Sequence, residues 1–306
     1  MKVVGAYAAK TDTGKKRRRN EDAFVLAPPL FAVADGMGGA QAGEIASKLA
    51  AAALEDTDPG RLTGPERVAS LIQEANRRVH ERSSVDPATS GMGTTMTVAL
   101  VEDDGVVIGH VGDSRAYLVR GHEIEQITED HSLVNELLKS GKLSAEEAET
   151  HPQRSVITRA VGTDPDVDVD SFTVHTQDGD VFLICSDGLT DMVDDRAILD
   201  AVEHHRDNLD RLTKQLVSAA NRGGGEDNIT VVAFSIGSRD GDDIGDTATM
   251  QAVTLPVDDD TTEDVGVRAS NEAVLAGPSA VRVRVVLATL IVLALLVSLL
   301  LWGLMR

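Results

Sequence analysis

Apolar and polar positions along the chain fall into three regimes. Up to about residue 237, short apolar runs alternate with longer amphipathic stretches. Phe31–Asp35 is a brief apolar run ending on a carboxylate and reads as a buried strand. Gly43–Leu54 is alanine-rich and helical. Pro65–Arg82 carries Val68, Leu71, Ile72, Ala75 and Val79 at i, i+3, i+4 spacing, which predicts an amphipathic helix. Four strand-like segments follow: Thr94–Glu102, Val106–Val111, Arg115–Arg120 and Glu123–Ile127. Asp103-Asp104-Gly105 and Gly121-His122 supply the turns, and links this short force antiparallel pairing. Ser132–Lys139 and Ser144–Glu149 read as short helices, the second opened by a Ser144/Glu147 capping box. Val167–Val174 and Asp180–Cys185 read as strands, Arg196–Val202 and Asn208–Arg222 as helices, and Ile229–Ile236 as a closing strand. Strands, a helix pair, strands, a helix pair and a strand predict an α+β fold in which antiparallel sheets are covered by helices.

The second regime, residues 238–280, is polar, with ten acidic and two basic residues up to Ser279. Little in it can pack, so it reads as a flexible acidic linker. The third regime reverses the pattern. Val285–Met305 is uncharged and rich in Leu, Val and Ala, long enough to cross a bilayer as a helix, so residues 283–305 are expected to form a single membrane span. Arg268, Arg282 and Arg284 precede it and Arg306 follows. The positive flank is expected to face the cytoplasm, and residues 1–237 with it. The first residues, Met-Lys-Val-Val-Gly, lack the apolar core of a signal peptide.

Composition narrows the chemistry. The 306 residues carry 50 acidic and 29 basic side chains, a net charge of −21, which argues against a nucleic-acid partner. Aromatics are 3%, so the core is aliphatic. Cys185 is the lone cysteine, which excludes an internal disulfide. It sits in an apolar strand as a small buried residue. No Cys-x5-Arg phosphate loop follows it, since the fifth residue on is Thr190.

Four carboxylates have an unusual context. Asp35, Asp113 and Asp187 each close an apolar strand beside glycine or serine, and Asp227 stands just before the last strand. Taken singly, each suits Asp-Gly turn chemistry. Four such cases point instead to acids gathered around a cation, and oxygen-only ligands suit Mg2+ or Mn2+.

The segments that hold these acids resemble a known family. Arg17-Arg18-Arg19-Asn20-Glu21-Asp22, Asp35-Gly36-Met37-Gly38-Gly39, Gly91-Met92-Gly93-Thr94-Thr95, Gly112-Asp113-Ser114-Arg115, Ser186-Asp187-Gly188-Leu189 and Asp227-Asn228-Ile229-Thr230 occur in the order and spacing of the metal-dependent protein phosphatases, the type 2C or PPM family. The bacterial membrane-anchored branch, which opposes Ser/Thr protein kinases, is the most similar. The resemblance implies a four-layer β-sandwich, two antiparallel sheets flanked by helix pairs, with two Mn2+ or Mg2+ ions in a cleft at one end and a weaker third. It implies that Asp35 bridges the two ions, that the Gly36 carbonyl completes the first site, and that Asp187 and Asp227 complete the second. Asp113, with Asp187, matches the third site. Glu21 and Asp22 match groups around the metals, and Arg17 matches the arginine that holds the substrate phosphate, with Arg18 as its rival in the basic run Lys15–Arg19.

The implied reaction is hydrolysis of phosphoserine and phosphothreonine in proteins by a water shared between the two ions. The expected partners are phosphorylated proteins, membrane Ser/Thr kinases among them. Met37 stands where some members carry a histidine. His131, His151, His204 and His205 read as structural or surface residues, and His131–Thr163 matches the flap beside the site. Other readings remain. A phosphatase of small phosphate esters shares these motifs, because they define the chemistry and not the leaving group. A relative serving a sporulation or sigma-factor circuit shares the domain. An inactive scaffold requires a lost ligand, and none of the four acids is missing.

Overall fold

The computed structural model describes residues 2–38, 42–57, 61–149 and 151–238. The chain separates into two units, residues 1–244 and 245–306. The membrane span expected at 283–305 and nearly all of the linker lie outside the described residues. Among the described residues no helix is long and apolar enough to cross a membrane.

The first unit holds two antiparallel sheets. One runs β1 (Lys2–Asp12), β11 (Ile229–Ser238), β10 (Val181–Cys185), β7 (Arg115–Arg120), β8 (Glu123–Gln126). The other runs β2 (Asp22–Ala27), β3 (Leu30–Met37), β5 (Met96–Glu102), β6 (Gly105–Val111), β9 (Asp170–Val174), with the two-residue β4 (Gly93–Thr94) paired to the end of β3. Helices α1 (Ala42–Asp56) and α2 (Gly64–Val85) cover the second sheet, and α5 (Asp187–Thr190), α6 (Asp195–His205) and α7 (Leu209–Gly223) cover the first. α3 (Leu133–Lys139) and α4 (Ala145–Glu149) belong to the segment between β8 and β9.

The layering follows from side-chain alternation in strands apolar on both faces. In β10, Phe182 and Ile184 enter the core between the sheets, while Val181, Leu183 and Cys185 face the helix-side core. β11 repeats this, with Val232, Phe234 and Ile236 inside and Val231 and Ala233 toward the helices. In β3, Phe31 and Val33 point inward, whereas Ala32 and Ala34 meet the α1 and α2 side. Phe31 and Phe182 both stack on Phe234, at centroid separations of 4.3 and 5.2 Å, pinning the sheets together. α1 presents Ala42, Ala46, Ala50 and Ala53 as its buried stripe. Side chains that small let the helix lie close to β3.

Most expected elements are present. α2 buries Val68, Leu71, Ile72, Ala75 and Val79, the stripe read from spacing, and adds Asn76. Ser144 and Glu147 form the capping box: the Ser144 N–H donates to Glu147 Oε2 at 2.8 Å and the Glu147 N–H to Ser144 Oγ at 3.2 Å. Three details differ. The 94–102 strand breaks at Thr95, whose N–H turns to the Asp35 carbonyl. The strand expected from Val167 begins at Asp170. β1 and β2 were not anticipated. Both are edge strands; β1 has a half-exposed face that dilutes its apolar signal, whereas β2 carries the unbroken apolar run Ala23–Ala27.

Candidate active site

The antiparallel pairings bring one end of every relevant strand to the same end of the sandwich. Asp22 opens β2 directly opposite Asp35 on β3. The end of β3 pairs with Gly93 and Thr94, and the start of β5 pairs with the end of β6, just before Asp113. In the other sheet the end of β10 lies beside the start of β11, so Asp187 and Asp227 meet. The acids expected from the motifs therefore come from both sheets.

Thr94 and Thr95 hold this end in place. The Asp35 N–H donates to Thr95 Oγ1 at 2.9 Å, Thr94 Oγ1 donates to the Asp35 carbonyl at 2.8 Å, and Thr95 Oγ1 lies 2.8 Å from Ser114 Oγ. Asp35 and the neighbour of Asp113 thus share one hydroxyl bridge. Asp22 ties the two sheets. It is buried, and its Oδ2 accepts from Ser186 Oγ at 2.9 Å and Thr230 Oγ1 at 2.6 Å. Gly36 has no room for a side chain: a Cβ there would sit 2.1 Å from the Gly43 carbonyl and 2.5 Å from that of Glu21. This close approach brings Glu21 and the start of α1 against the end of β3 at Asp35-Gly36.

The electrostatics are strained. Burial raises Asp35 well above the usual carboxylate range, and Asp22, Asp187, Asp113 and Asp227 push it further. Asp187 is raised by burial and then by Asp113, Asp227, Asp191 and Asp22. Burial, opposed by hydrogen bonds, brings Asp22 to about 6. Burial with Asp130 brings Asp113 to about 6. Glu21 is raised mainly by burial. Buried Asp22 Oδ1 and Asp187 Oδ1 have no hydrogen-bond partner. Among the described residues no three His, Cys, Asp or Glu side chains close into a finished metal cage. Orphaned buried oxygens among mutually repelling carboxylates nevertheless fit a hard divalent cation, which would neutralise the charge and fill the open lone pairs.

Arg17 stands on this cluster. Its Nη2 lies 2.5 Å from Asp227 Oδ2. Partial burial opposes its charge, but Asp227, Asp187 and Asp35 outweigh that and raise its pKa. Arg19 instead lies 3.9 Å from Glu44. From Asp113 and Asp187 a cavity of about 940 Å3 extends beneath α3 and α4, lined also by Arg115, Arg154 and Asp191. Asp191 was missed in the sequence. It lies four residues after Asp187, its N–H donates to the Asp187 carbonyl at 2.8 Å, and Arg154 Nη2 approaches its carboxylate at 3.8 Å. The i, i+4 spacing was the available signal.

The remaining candidates fall away from the chemistry. Cys185 is buried in β10, and burial pushes its thiol up to about 12, so it supplies no thiolate. His131 is buried and spends both ring nitrogens: the Gly112 N–H donates to Nδ1 at 3.0 Å, and Nε2 lies 3.1 Å from Asp170 Oδ2 and 3.0 Å from Arg159 Nη1. The His204 ring is exposed and bonded to the Asp200 carbonyl, and the half-buried His205 ring is bonded to Gln215. His151 is half-buried, and its Nδ1 accepts from the Gln153 N–H at 3.2 Å.

Residues 15–222 match the family model described as protein phosphatase 2C. The chain belongs to the protein phosphatase 2C family. It is 41% identical over 234 residues to the serine/threonine phosphatase stp of Listeria monocytogenes, covering 73% of this chain and 92% of that one. The crystal structure of the Mycobacterium tuberculosis serine/threonine phosphatase PstP/Ppp superposes with a TM-score of 0.72 at 38% identity, covering 77% of this chain and all of that one. A PstP catalytic domain in complex with two manganese ions superposes with a TM-score of 0.69 at 36% identity, covering 78% and 100%. As a protein phosphatase 2C, the chain is a metal-dependent serine/threonine protein phosphatase using Mn2+ or Mg2+. The expectation of two antiparallel sheets flanked by helices is borne out.

Proposed function

We propose that this phosphatase works at the membrane, opposing membrane Ser/Thr kinases, with Asp35, the Gly36 carbonyl, Asp187 and Asp227 as ligands of two ions and Asp113 with Asp187 at a third. The ligand assignment rests on one observation above all: five buried or half-buried carboxylates from both sheets converge at one end, beside one arginine. When bound, Mn2+ or Mg2+ supplies an activated water and neutralises the phosphate. Glu21 and Asp22 would border the ions, Asp22 being held through Oδ2 by Ser186 and Thr230 with its buried Oδ1 left without a partner. Arg17 would offer its planar guanidinium to the phosphate oxygens and orient the phosphoryl group above the acids. No protein nucleophile is needed, in keeping with the buried thiol of Cys185.

Arg17→Ala is expected to lower kcat/KM on a phosphothreonine peptide by roughly 10- to 150-fold, the usual cost of a charged hydrogen-bonded contact of about 1.5–3 kcal/mol. A larger loss from Arg18→Ala would move the role by one residue.

The tether follows from residues 238–305. The span at 283–305 fixes the protein in the cytoplasmic membrane, with residues 1–237 in the cytoplasm and residues 238–280 as an acidic spacer. Like charges keep the spacer extended and away from anionic lipid. About 40 flexible residues, at about 5–6 Å × √n, hold the catalytic unit some tens of ångströms from the bilayer, within reach of phosphorylated loops on membrane proteins. Residues 1–237 expressed alone are expected to be soluble, to keep kcat on a peptide, and to lose efficiency toward a membrane-embedded phosphoprotein through lower effective concentration. Full-length protein should sediment with membranes and resist protease added outside intact cells. Cleavage of the catalytic unit from outside reverses the orientation, and an inactive truncated domain rules out a passive tether.

A further inference from the structure

Asn228 lies between Asp227 and β11 and is 4% exposed. Its amide is fully used. Oδ1 accepts from the Glu21 N–H at 2.7 Å, and Nδ2 donates to the Thr13 carbonyl at 3.0 Å and the Arg19 carbonyl at 2.9 Å. One N–H and two carbonyls leave no choice of orientation, because a flipped amide would set donor against donor at Glu21. The three partners lie at the two ends of the loop 13–21, and Arg17 stands in its middle.

The neighbouring residues complete a bed for this loop. The Lys15 and Lys16 N–H groups both donate to the Gly225 carbonyl, at 2.7 and 3.2 Å. Gly14 has φ +74°, and a Cβ there would lie 2.2 Å from the Asp227 carbonyl, so the loop lies directly on residues 225–228. A long arginine on a loop pinned at one end would sample many positions. Closing both ends on a single buried amide removes that freedom before substrate arrives.

We infer that Asn228 is the positioning residue of the phosphate site: it staples both ends of the 13–21 loop and thereby sets where the Arg17 guanidinium stands above the acids, without touching substrate. The inference rests on the proposed role of Arg17. It also assigns work to an asparagine that neither binds metal nor lies in the 940 Å3 cavity lining.

The test is a double-mutant cycle on the full-length protein with saturating Mn2+ and a phosphothreonine peptide. Asn228→Ala is expected to lower kcat/KM by about 10-fold and to weaken inhibition by inorganic phosphate by a similar factor, but to change either by less than about 2-fold when Arg17 is already alanine. Mn2+ binding by calorimetry should stay within about 2-fold of the parent. If the alanine variant does not fold, Asn228→Ser, whose shorter side chain keeps a hydroxyl but cannot span all three partners, carries the same comparison. Equal losses in the parent and Arg17→Ala backgrounds overturn the staple, as does unchanged phosphate inhibition in the parent background. A silent Arg17→Ala sinks the reading of Arg17 itself, a pattern distinct from independent losses.

Discussion

Asp35→Asn should remove at least ~99% of turnover at saturating Mn2+ while leaving the metal-free protein no less stable than the parent. The loss follows from taking a charge out of a metal site that supplies several kcal/mol of transition-state stabilisation, where each ~1.4 kcal/mol is tenfold in rate. The stability half follows from the neighbours. Asp35 stands opposite Asp22 on adjacent strands and is crowded by Asp187, Asp113 and Asp227. An isosteric amide removes that repulsion and keeps the Asp35 N–H bond to Thr95. Asp187→Asn should behave alike, since Asp113, Asp227 and Asp191 crowd it in turn. The measurements are kcat against Mn2+ concentration and calorimetric melting in chelator. More than a few per cent of parental kcat in either variant at saturating Mn2+ would falsify its assignment as a ligand.

Metal removal should abolish activity, and the way metal stabilises the fold should depend on pH in a set direction. Burial with charge repulsion raises Asp35 and Asp187, and places Asp22 and Asp113 at about 6, above the ordinary carboxylate value of about 4. A pKa raised on folding means that the folded state holds the proton more tightly than the unfolded chain. The stability that Asp22 and Asp113 contribute in this way is complete below about pH 4 and is lost as pH rises through about 6. The metal-free protein therefore gives up stability across that window. Mn2+ binds the ionised carboxylates, so its stabilisation grows over the same interval as protons cease to compete. The rise in melting temperature on adding Mn2+ should be larger at pH 7.5 than at pH 5. A larger rise at pH 5, or full turnover in a demonstrably metal-free sample, contradicts oxygen-ligand metal catalysis.

Much of the fold was readable because both sheets are covered on both faces. Continuous apolar runs such as Val181–Cys185 and Ile229–Ile236 announced themselves, and the helical stripe of α2 matched its buried face in every apolar residue, with Asn76 the one addition. β1 was not anticipated because an edge strand puts one flank in water and so loses the apolar contrast that marks a central strand, whereas β2 carries a plain apolar run, Ala23–Ala27, that was not read as a strand. Local chemistry was equally legible, as with the Ser144/Glu147 box, since its partners are three residues apart.

What the sequence by itself determined is the set of parts: which acids close apolar strands, which glycines flank them, which arginines precede Asp22, and that no cysteine chemistry competes. What only the tertiary structure decided is who meets whom. Thr11 touches Thr230, 219 residues away, and Asp22 is sealed by Ser186 and Thr230 from the opposite sheet. Arg17, one of three consecutive arginines, is placed on Asp227, Asp191 joins the acids beneath the flap, and Asn228 closes the loop beneath Arg17. The physical reason is that residue periodicity reports how many faces of an element are buried, whereas strand order and register arise from pairings across long stretches of chain. Those pairings leave no mark at any single position.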